Sequence, residues 1–470
     1  MIANRLLFNT LILSFGVFLP QLASFVTIPL YTSVLSHEEY GFYDFINTVI
    51  YVLTIVSILQ IHYSVFRFLI DVRGTGFEKK YISNAIIFEL SLSIVVSVAF
   101  YFWLYTLTSL MKFLLSGYLF LNLQLTVIGN ITRGLGKNIV YAISAIIQSF
   151  SNLLFVYVFL INNNFGLIGI FLSINISLLL SLLFQIFSCR LWTYINFSLY
   201  DMKLLKEMIH YSLPMVPNAV SVWIINAFDK IIINIFLGLS YNGLFAAALK
   251  IPSIFTIAYS AFNLAWQESA SIKSNDIDSA SYYDKVFSAL LDFLFGCILL
   301  LISFSPILFP LFIKGDYSLS YDQLPILYIG VFFSCISSFL GGIYIANMDS
   351  KTIGITSIWG AVINIIINLS LIKFIGLYAA SLSTVISYFI LICCRAYGLK
   401  KRGWIKFDYK KKRLFFCFVL LLISCVLCYL KCLFFDIINI IVGVVSFITL
   451  NHKMIMGMIK SIKKKFNISA

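Results

Sequence analysis

Long apolar blocks separated by short polar gaps dominate the chain. They run near residues 6 to 34, 42 to 68, 82 to 107, 112 to 131, 139 to 161, 166 to 189, 212 to 238, 243 to 268, 286 to 313, 324 to 347, 353 to 374 and 376 to 399. A helix needs about 20 apolar residues to cross ~30 Å of hydrocarbon, so these twelve blocks predict membrane-spanning helices. Two shorter blocks follow near 414 to 430 and 433 to 450, with Lys431 and Asp436 between or beside them. The fold expected is an all-α polytopic membrane protein with 12 to 14 transmembrane helices, fourteen being the count we expect.

Composition agrees. The chain is 61% hydrophobic and 11% charged, with mean hydropathy +0.99, against roughly 25% charged residues in a soluble domain. After Arg5 the apolar run from Leu6 to about Val34 is too long for the core of a cleavable signal and reads as a retained first helix. The net charge of +14 is explained by topology. Over alternate connections, 27 of the 33 Lys and Arg residues fall on one side, only Lys112, Lys314, Lys373 and Lys431 on the other, and Lys230 and Lys250 within the spans. By the positive-inside rule both termini are expected in the cytoplasm, with anionic lipids as partners and no nucleic acid. The nine cysteines lie in or at the ends of apolar blocks, and Cys425 and Cys428, although spaced CxxC, read as packing residues.

Internal similarity suggests two halves. Leu35 with Gly41, Phe42 and Tyr43 recurs as Leu237 with Gly243, Leu244 and Phe245, an offset of 202; Phe165, Gly166, Leu167 and Ser173 recur as Ile375, Gly376, Leu377 and Ser383, an offset of 210. The organisation expected is a six-helix lobe at 1–190, an amphipathic cytoplasmic linker at 191–211, a second six-helix lobe at 212–400, and a basic linker with two weaker helices and a basic tail at 401–470. In the linker, Ser198 and Asp201 have capping-box spacing, and Leu204, Leu205, Met208 and Ile209 form an apolar face suited to the membrane surface.

A charge held in hydrocarbon costs at least ~2.5 kcal/mol, so it normally faces a partner or a wet cavity. Asp229 and Lys230 lie deep in the seventh block and Lys250 in the eighth. Around them Asn218, Asn226, Lys230 and Asn234 recur at helical spacing, and Lys250, Ser253, Thr256, Ser260, Asn263 and Gln267 form a polar stripe along the eighth. Counted from the connection between the two helices, all three charges are expected about 11 to 12 Å deep, at one level. Either they line a cationic cavity for an anionic substrate, or they form a structural ion pair between helices. Glu89, His62 and Asp292 are further intramembrane ionisable groups, candidates for ion coupling or for interfacial pairing. Pro20, Pro29, Pro214 and Pro217 are candidate kinks. No Walker loop, GxSxG or HExxH is present, so neither ATP, a metal, a cofactor nor an enzymatic site is expected.

Leu213 to Pro252, LPMVPNAVSVWIINAFDKIIINIFLGLSYNGLFAAALKIP, resembles the seventh and eighth helices of Wzx-type O-antigen and polysaccharide flippases of the MATE-like multidrug/oligosaccharidyl-lipid/polysaccharide superfamily. Ile28 to Phe45, Phe262 to Ala270 and Ser350 to Thr384 are similar to that family's first loop, the end of its eighth helix, and its eleventh and twelfth helices. The resemblance implies two lobes forming a V around a central cavity and working by alternating access. The substrate it implies is an undecaprenyl-diphosphate-linked oligosaccharide, in a pathway that also holds a polymerase and a chain-length regulator. Flippases of the lipid II branch carry arginines in the first helix; none follows Arg5 here, which argues against lipid II. The alternatives are a cation-coupled drug exporter of the same superfamily and an O-antigen polymerase-like enzyme.

Overall fold

The computed structural model describes residues 19–213, 215–274, 276, 278–347 and 349–466. Hydrocarbon offers backbone groups no partners, so a chain this apolar must satisfy them within helices, and no strand occurs among the described residues. The helices are α1 (residues 19–34), α2 (His37–Ser57), α3 (Ile61–Val72), α4 (Glu78–Trp103), α5 (Ser109–Gly134), α6 (Asn138–Val156), α7 (Gly166–Cys189), α8 (Met202–Ser212), α9 (Met215–Phe236), α10 (Leu239–Lys273), α11 (Ser279–Phe312), α12 (Ser318–Ala346), α13 (Ser350–Ile375), α14 (Tyr378–Lys401), α15 (Lys411–Tyr429) and α16 (Leu433–Phe466). Among the described residues eleven helices are long and apolar enough to cross a membrane, and both weak C-terminal blocks are among them, as Lys411–Tyr429 and Leu433–His452. The protein is an all-α, multi-pass membrane protein.

The chain divides into two compact units, residues 1–223 and 224–470, with the division inside α9. In the first unit α5 is central. Its buried Leu115, Leu119, Leu123, Val127 and Ile131 follow one another every four residues, one ridge packed among α3, α4 and α7. The block expected as one span at 42 to 68 is instead two helices, α2 and α3. Leu59 (φ +47°) and Gln60 (φ +57°) take left-handed conformations that end α2, and the Gln60 side chain donates to the Ile55 carbonyl at 2.9 Å. The span near 139 to 161 closes in a π-turn at Tyr157–Asn162.

The offsets seen in the sequence recur in the structure. α2 starts at His37 and α10 at Leu239, 202 positions on, while Gly166 and Gly376, 210 apart, both carry positive φ (+55° and +57°) where α7 and α14 begin. Pro217 stands at the third position of α9, where a missing N–H costs nothing, and Pro29 lies in continuous helix, so neither breaks its helix. Pro214 lies outside the described residues.

The linker is held to the first unit. Ser83 of α4 donates to the Tyr194 carbonyl (3.1 Å) and accepts from the Asn196 N–H (2.9 Å); Asn84 donates to the Leu199 carbonyl (3.0 Å) and accepts from the Asp201 N–H (2.8 Å). Asp201 caps α8 alone, accepting from the Lys203 and Leu204 N–H groups, and pairs with Lys80 at 2.8 Å. Ser198 does not join that cap, because its N–H and hydroxyl bond Asn196. The apolar face of α8, with Leu204, Leu205 and Met208 buried, packs on α3 and α4.

In the second unit α12 is most enclosed. Trp266 of α10 stacks on Phe339 of α12 at 4.1 Å and donates to its carbonyl (3.0 Å). The C-terminal pair packs onto α11. A Cβ on Gly443 would fall on Ser303 and one on Gly296 on Asn451, so glycines let α16 approach closely. Buried Asn439 bonds Ser424 of α15 and Ser303 of α11.

The Lys80 ammonium, with the two cap N–H groups, holds the Asp201 carboxyl below the usual carboxylate range. A depressed pKa contributes stability that is present above the unfolded value of about 3.9 and lost as pH falls through the folded one. Hydrogen exchange in the segment Leu191–Asp201 is therefore expected to rise below about pH 4, and Asp201→Asn should show that raised exchange already at pH 7.

Candidate functional site

The second unit buries a carboxylate between three helices. Asp229 of α9 is 7% exposed; its Oδ1 accepts from the Asn368 amide at 2.7 Å and its Oδ2 from the Thr384 hydroxyl at 3.0 Å. Asn364 and Ser383 stand within hydrogen-bonding reach of the same carboxylate, and Asn364 donates to Ser383 at 3.3 Å. Asn364 and Asn368 are four residues apart on α13, and Ser383 and Thr384 adjoin on α14, so two helix faces converge on one acid. All its contributors belong to the second unit.

The amide oxygens of Asn364 and Asn368 are buried without a hydrogen-bond partner. Such an oxygen normally costs about 1–3 kcal/mol. The amide nitrogens, not these oxygens, face Asp229 and Ser383, so the site carries one negative charge with unused acceptor capacity near it, a setting suited to a proton or a monovalent alkali cation. Among the described residues no group of three or more His, Cys, Asp or Glu side chains gathers as for a transition metal.

Lys230 follows Asp229 by one position, about 100° round the helix, so it points away from the face that meets α13 and α14. It is half-buried, as is Lys250. The expected common depth changes. α9 and α10 are joined by Leu237 and Gly238 alone, with Gly238 at φ +92°. Asp229 and Lys230 therefore lie seven and six residues before Phe236, about 10 Å in, whereas Lys250 lies eleven residues beyond Leu239, about 16 Å in. Lys250 is one turn deeper, because α10 begins four residues earlier than its apolar block suggests.

On α10 the hydroxyls turn back on their own helix: Ser253 donates to the Lys250 carbonyl (2.6 Å), Thr256 to Ser253 (3.0 Å) and Ser260 to Ile257 (2.6 Å). The Asn263 amide oxygen is buried without a partner, and Gln267 packs beside Gly342. The side chains of Asn218, Asn226 and Glu268 lie outside the described residues.

Glu89, in the first unit, is buried and accepts from Gln124 at 2.7 Å, while Gln124 also bonds Ser93. His62 is buried with Nδ1 unpartnered, its ring 4.3 Å from that of Tyr63, and no hydrogen bond joins it to Glu89. Asp292 anchors the strap between α14 and α15: it accepts from Tyr409 (2.6 Å) and pairs with Arg413 (2.9 Å).

Sequence reasoning missed Arg395. Counted with the basic cytoplasmic residues, it is in fact 5% exposed inside the second unit, donating to the Ser337 carbonyl (2.7 Å) and to the Ser337, Thr356 and Ser357 hydroxyls. Among the described residues it meets no carboxylate. Asn364 and Asn368 were missed too, although two amides four residues apart in an apolar block are a readable signal.

Replacing Asn368 with Leu strips Oδ1 of Asp229 of its donor. The thermal unfolding of the purified protein should then report a loss of about 1.5 kcal/mol, the upper end for an interhelical bond in a membrane bundle, because the acceptor is charged.

Comparisons with known proteins agree with this picture. The chain is similar in fold to a lipid II flippase MurJ in an inward closed conformation (TM-score 0.70, 15% identity, covering 96% of this chain and 100% of that one). It is also similar to an inward-facing multidrug resistance MATE family transporter of the MOP superfamily (TM-score 0.64, 14% identity, 84% and 98%) and to a MOP superfamily transporter from Pyrococcus furiosus whose reversed pocket polarity suggests a different function (TM-score 0.57, 12% identity, 83% and 94%). At such identity the likeness is one of fold. No curated protein matches the chain. Residues 6–266, more than half of the sequence, match the family model described as polysaccharide biosynthesis protein, and the chain belongs to that family.

Proposed function

We propose that this protein is a flippase that moves an undecaprenyl-diphosphate-linked oligosaccharide from the cytoplasmic to the periplasmic leaflet of a bacterial inner membrane by alternating access. The observation that carries the reading is the family match over residues 6–266, which takes in both Lys230 and Lys250. The likeness in fold to a lipid II flippase supports it. Lys230 and Lys250 supply cationic groups for a diphosphate, and the prenyl tail stays in lipid. Both termini are cytoplasmic in this reading, as the distribution of Lys and Arg favours.

Asp229 is the coupling element. Its carboxylate takes a proton or an alkali cation together with Asn364, Asn368 and Thr384, and this tightens α9 against α13 and α14. Releasing the cation leaves the carboxylate with its neutral donors alone, so occupancy biases the packing of these three helices. The membrane potential assists the cargo: two negative charges moving outward gain roughly 2.3 kcal/mol each per 100 mV, inside negative.

The test is deletion of the gene and tracking of lipid-linked sugar in the two leaflets. Intermediates should accumulate inside, wild type should restore export, and Lys250→Ala should restore less than about a tenth of it, as expected if one charge-assisted contact of about 1.5 kcal/mol is lost. Full rescue by Lys250→Ala and Lys230→Ala would overturn the cationic cavity, and no accumulation would overturn the flippase. Asp229→Asn should reach wild-type levels in the membrane yet lose its response to an imposed proton or sodium gradient; a response equal to wild type would remove Asp229 from coupling.

A further inference from the structure

A cavity of about 590 Å³ opens in the second unit between the start of α11, the strap leading into α15, and α16. Its size falls within the ~300–1,000 Å³ of small-molecule sites. Its lining carries Lys285, Lys406, Arg413 and His452 against Asp284, Asp292 and Asp408, and the internal bonds decide which of these a ligand can use. Asp284 is consumed by the backbone, accepting from the N–H groups of Lys406 (3.0 Å) and Phe407 (2.7 Å). Asp292 is consumed by Tyr409 and Arg413. The side chains of Lys285 and Lys406 are exposed and, among the described residues, have no anionic partner, with Asp408 as the remaining free acid. The lining is formally neutral, and Lys285 and Lys406 are the cations in it that no side-chain anion holds among the described residues.

Its level decides what can enter. The apolar block of α16 gives way to Asn451 and His452, and that of α15 follows Lys411 to Arg413, so a cavity lined by Thr449, Asn451, His452 and Arg413 sits where hydrocarbon gives way to water. From it Ile448, Val445 and Ile441 run down α16 as an exposed apolar stripe. A phosphate that arrives with acyl chains finds a place for both.

We infer that this cavity binds the phosphodiester headgroup of an anionic phospholipid, with the phosphate between Lys285 and Lys406 and the acyl chains along α16. The occupant bridges α11, the strap and α16, and so fastens the C-terminal helix pair to the rest of its unit. The inference is independent of the transported substrate.

The test uses the full-length protein in detergent, with native mass spectrometry and unfolding temperature read against added phosphatidylglycerol, phosphatidylcholine, or inorganic phosphate. Phosphatidylglycerol alone should bind at low stoichiometry and raise the unfolding temperature. Lys285→Gln and Lys406→Gln should each weaken it about fivefold, the worth of one lysine near an anionic surface. Ala289→Trp, which fills the cavity and keeps both lysines, should abolish the effect, whereas Lys400→Gln with Lys401→Gln, outside the lining, should leave it unchanged. Equal binding of phosphatidylcholine, retention after Ala289→Trp, or equal loss in the Lys400/Lys401 control would overturn the site. Saturation by inorganic phosphate at the same concentration would make it a soluble-anion site and overturn the lipid.

Discussion

A carboxylate placed among helices meant for hydrocarbon has to be given donors, and much of the second unit is arranged to give them. One amide on α13, Asn368, and one hydroxyl on α14, Thr384, donate to Asp229, with Asn364 bonded to Ser383 on the same two helices, and none of the four is charged. An ion pair would hold a fixed geometry by strong attraction at a high desolvation cost. Neutral donors hold the acid more weakly, and they leave it able to accept a proton or an alkali cation without first breaking a salt bridge. In the proposed cycle the same helices would have to pack tightly enough to exclude lipid and loosely enough to admit a small cation.

Polar contacts of this kind recur wherever two helices must stay in register. Gln124 spans Glu89 and Ser93, Asn439 ties α15, α16 and α11, and Ser83 with Asn84 stitches the linker to α4. Apolar side chains cannot specify register between helices in lipid, since lipid tails are as apolar as leucine. Small residues and single hydrogen bonds do so instead, and Gly443 against Ser303 is the clearest case.

Hydrophobic blocks made the helices and their order legible from sequence, because block length is read directly against membrane thickness. The amphipathic face of α8 was legible from its helical periodicity, but Leu204, Leu205 and Met208 pack on α3 and α4 rather than on the membrane surface expected for them. What the blocks do not encode is adjacency. Asp229 meets residues 139 and 155 positions later, and nothing in a one-dimensional pattern pairs α9 with α13 and α14. Local breaks were equally hidden: Leu59 and Gln60 break a block that holds no glycine or proline, and Gly238 starts α10 early enough to sink Lys250 by a turn. Arg395 was misplaced because a cation near the end of a block is ordinarily interfacial.

That buried guanidinium sets a limit on how firmly the second unit can hold a cation. Thr384 and Arg395 lie eleven residues apart on α14, about 16 Å. At an effective dielectric near 20, two like unit charges at that separation repel by about 1 kcal/mol. A cation beside Asp229 is therefore held about fivefold less tightly than the oxygen donors alone would hold it. Under the proposed coupling role of Asp229, such a standing repulsion would shorten the residence time of the ion without altering a single ligand.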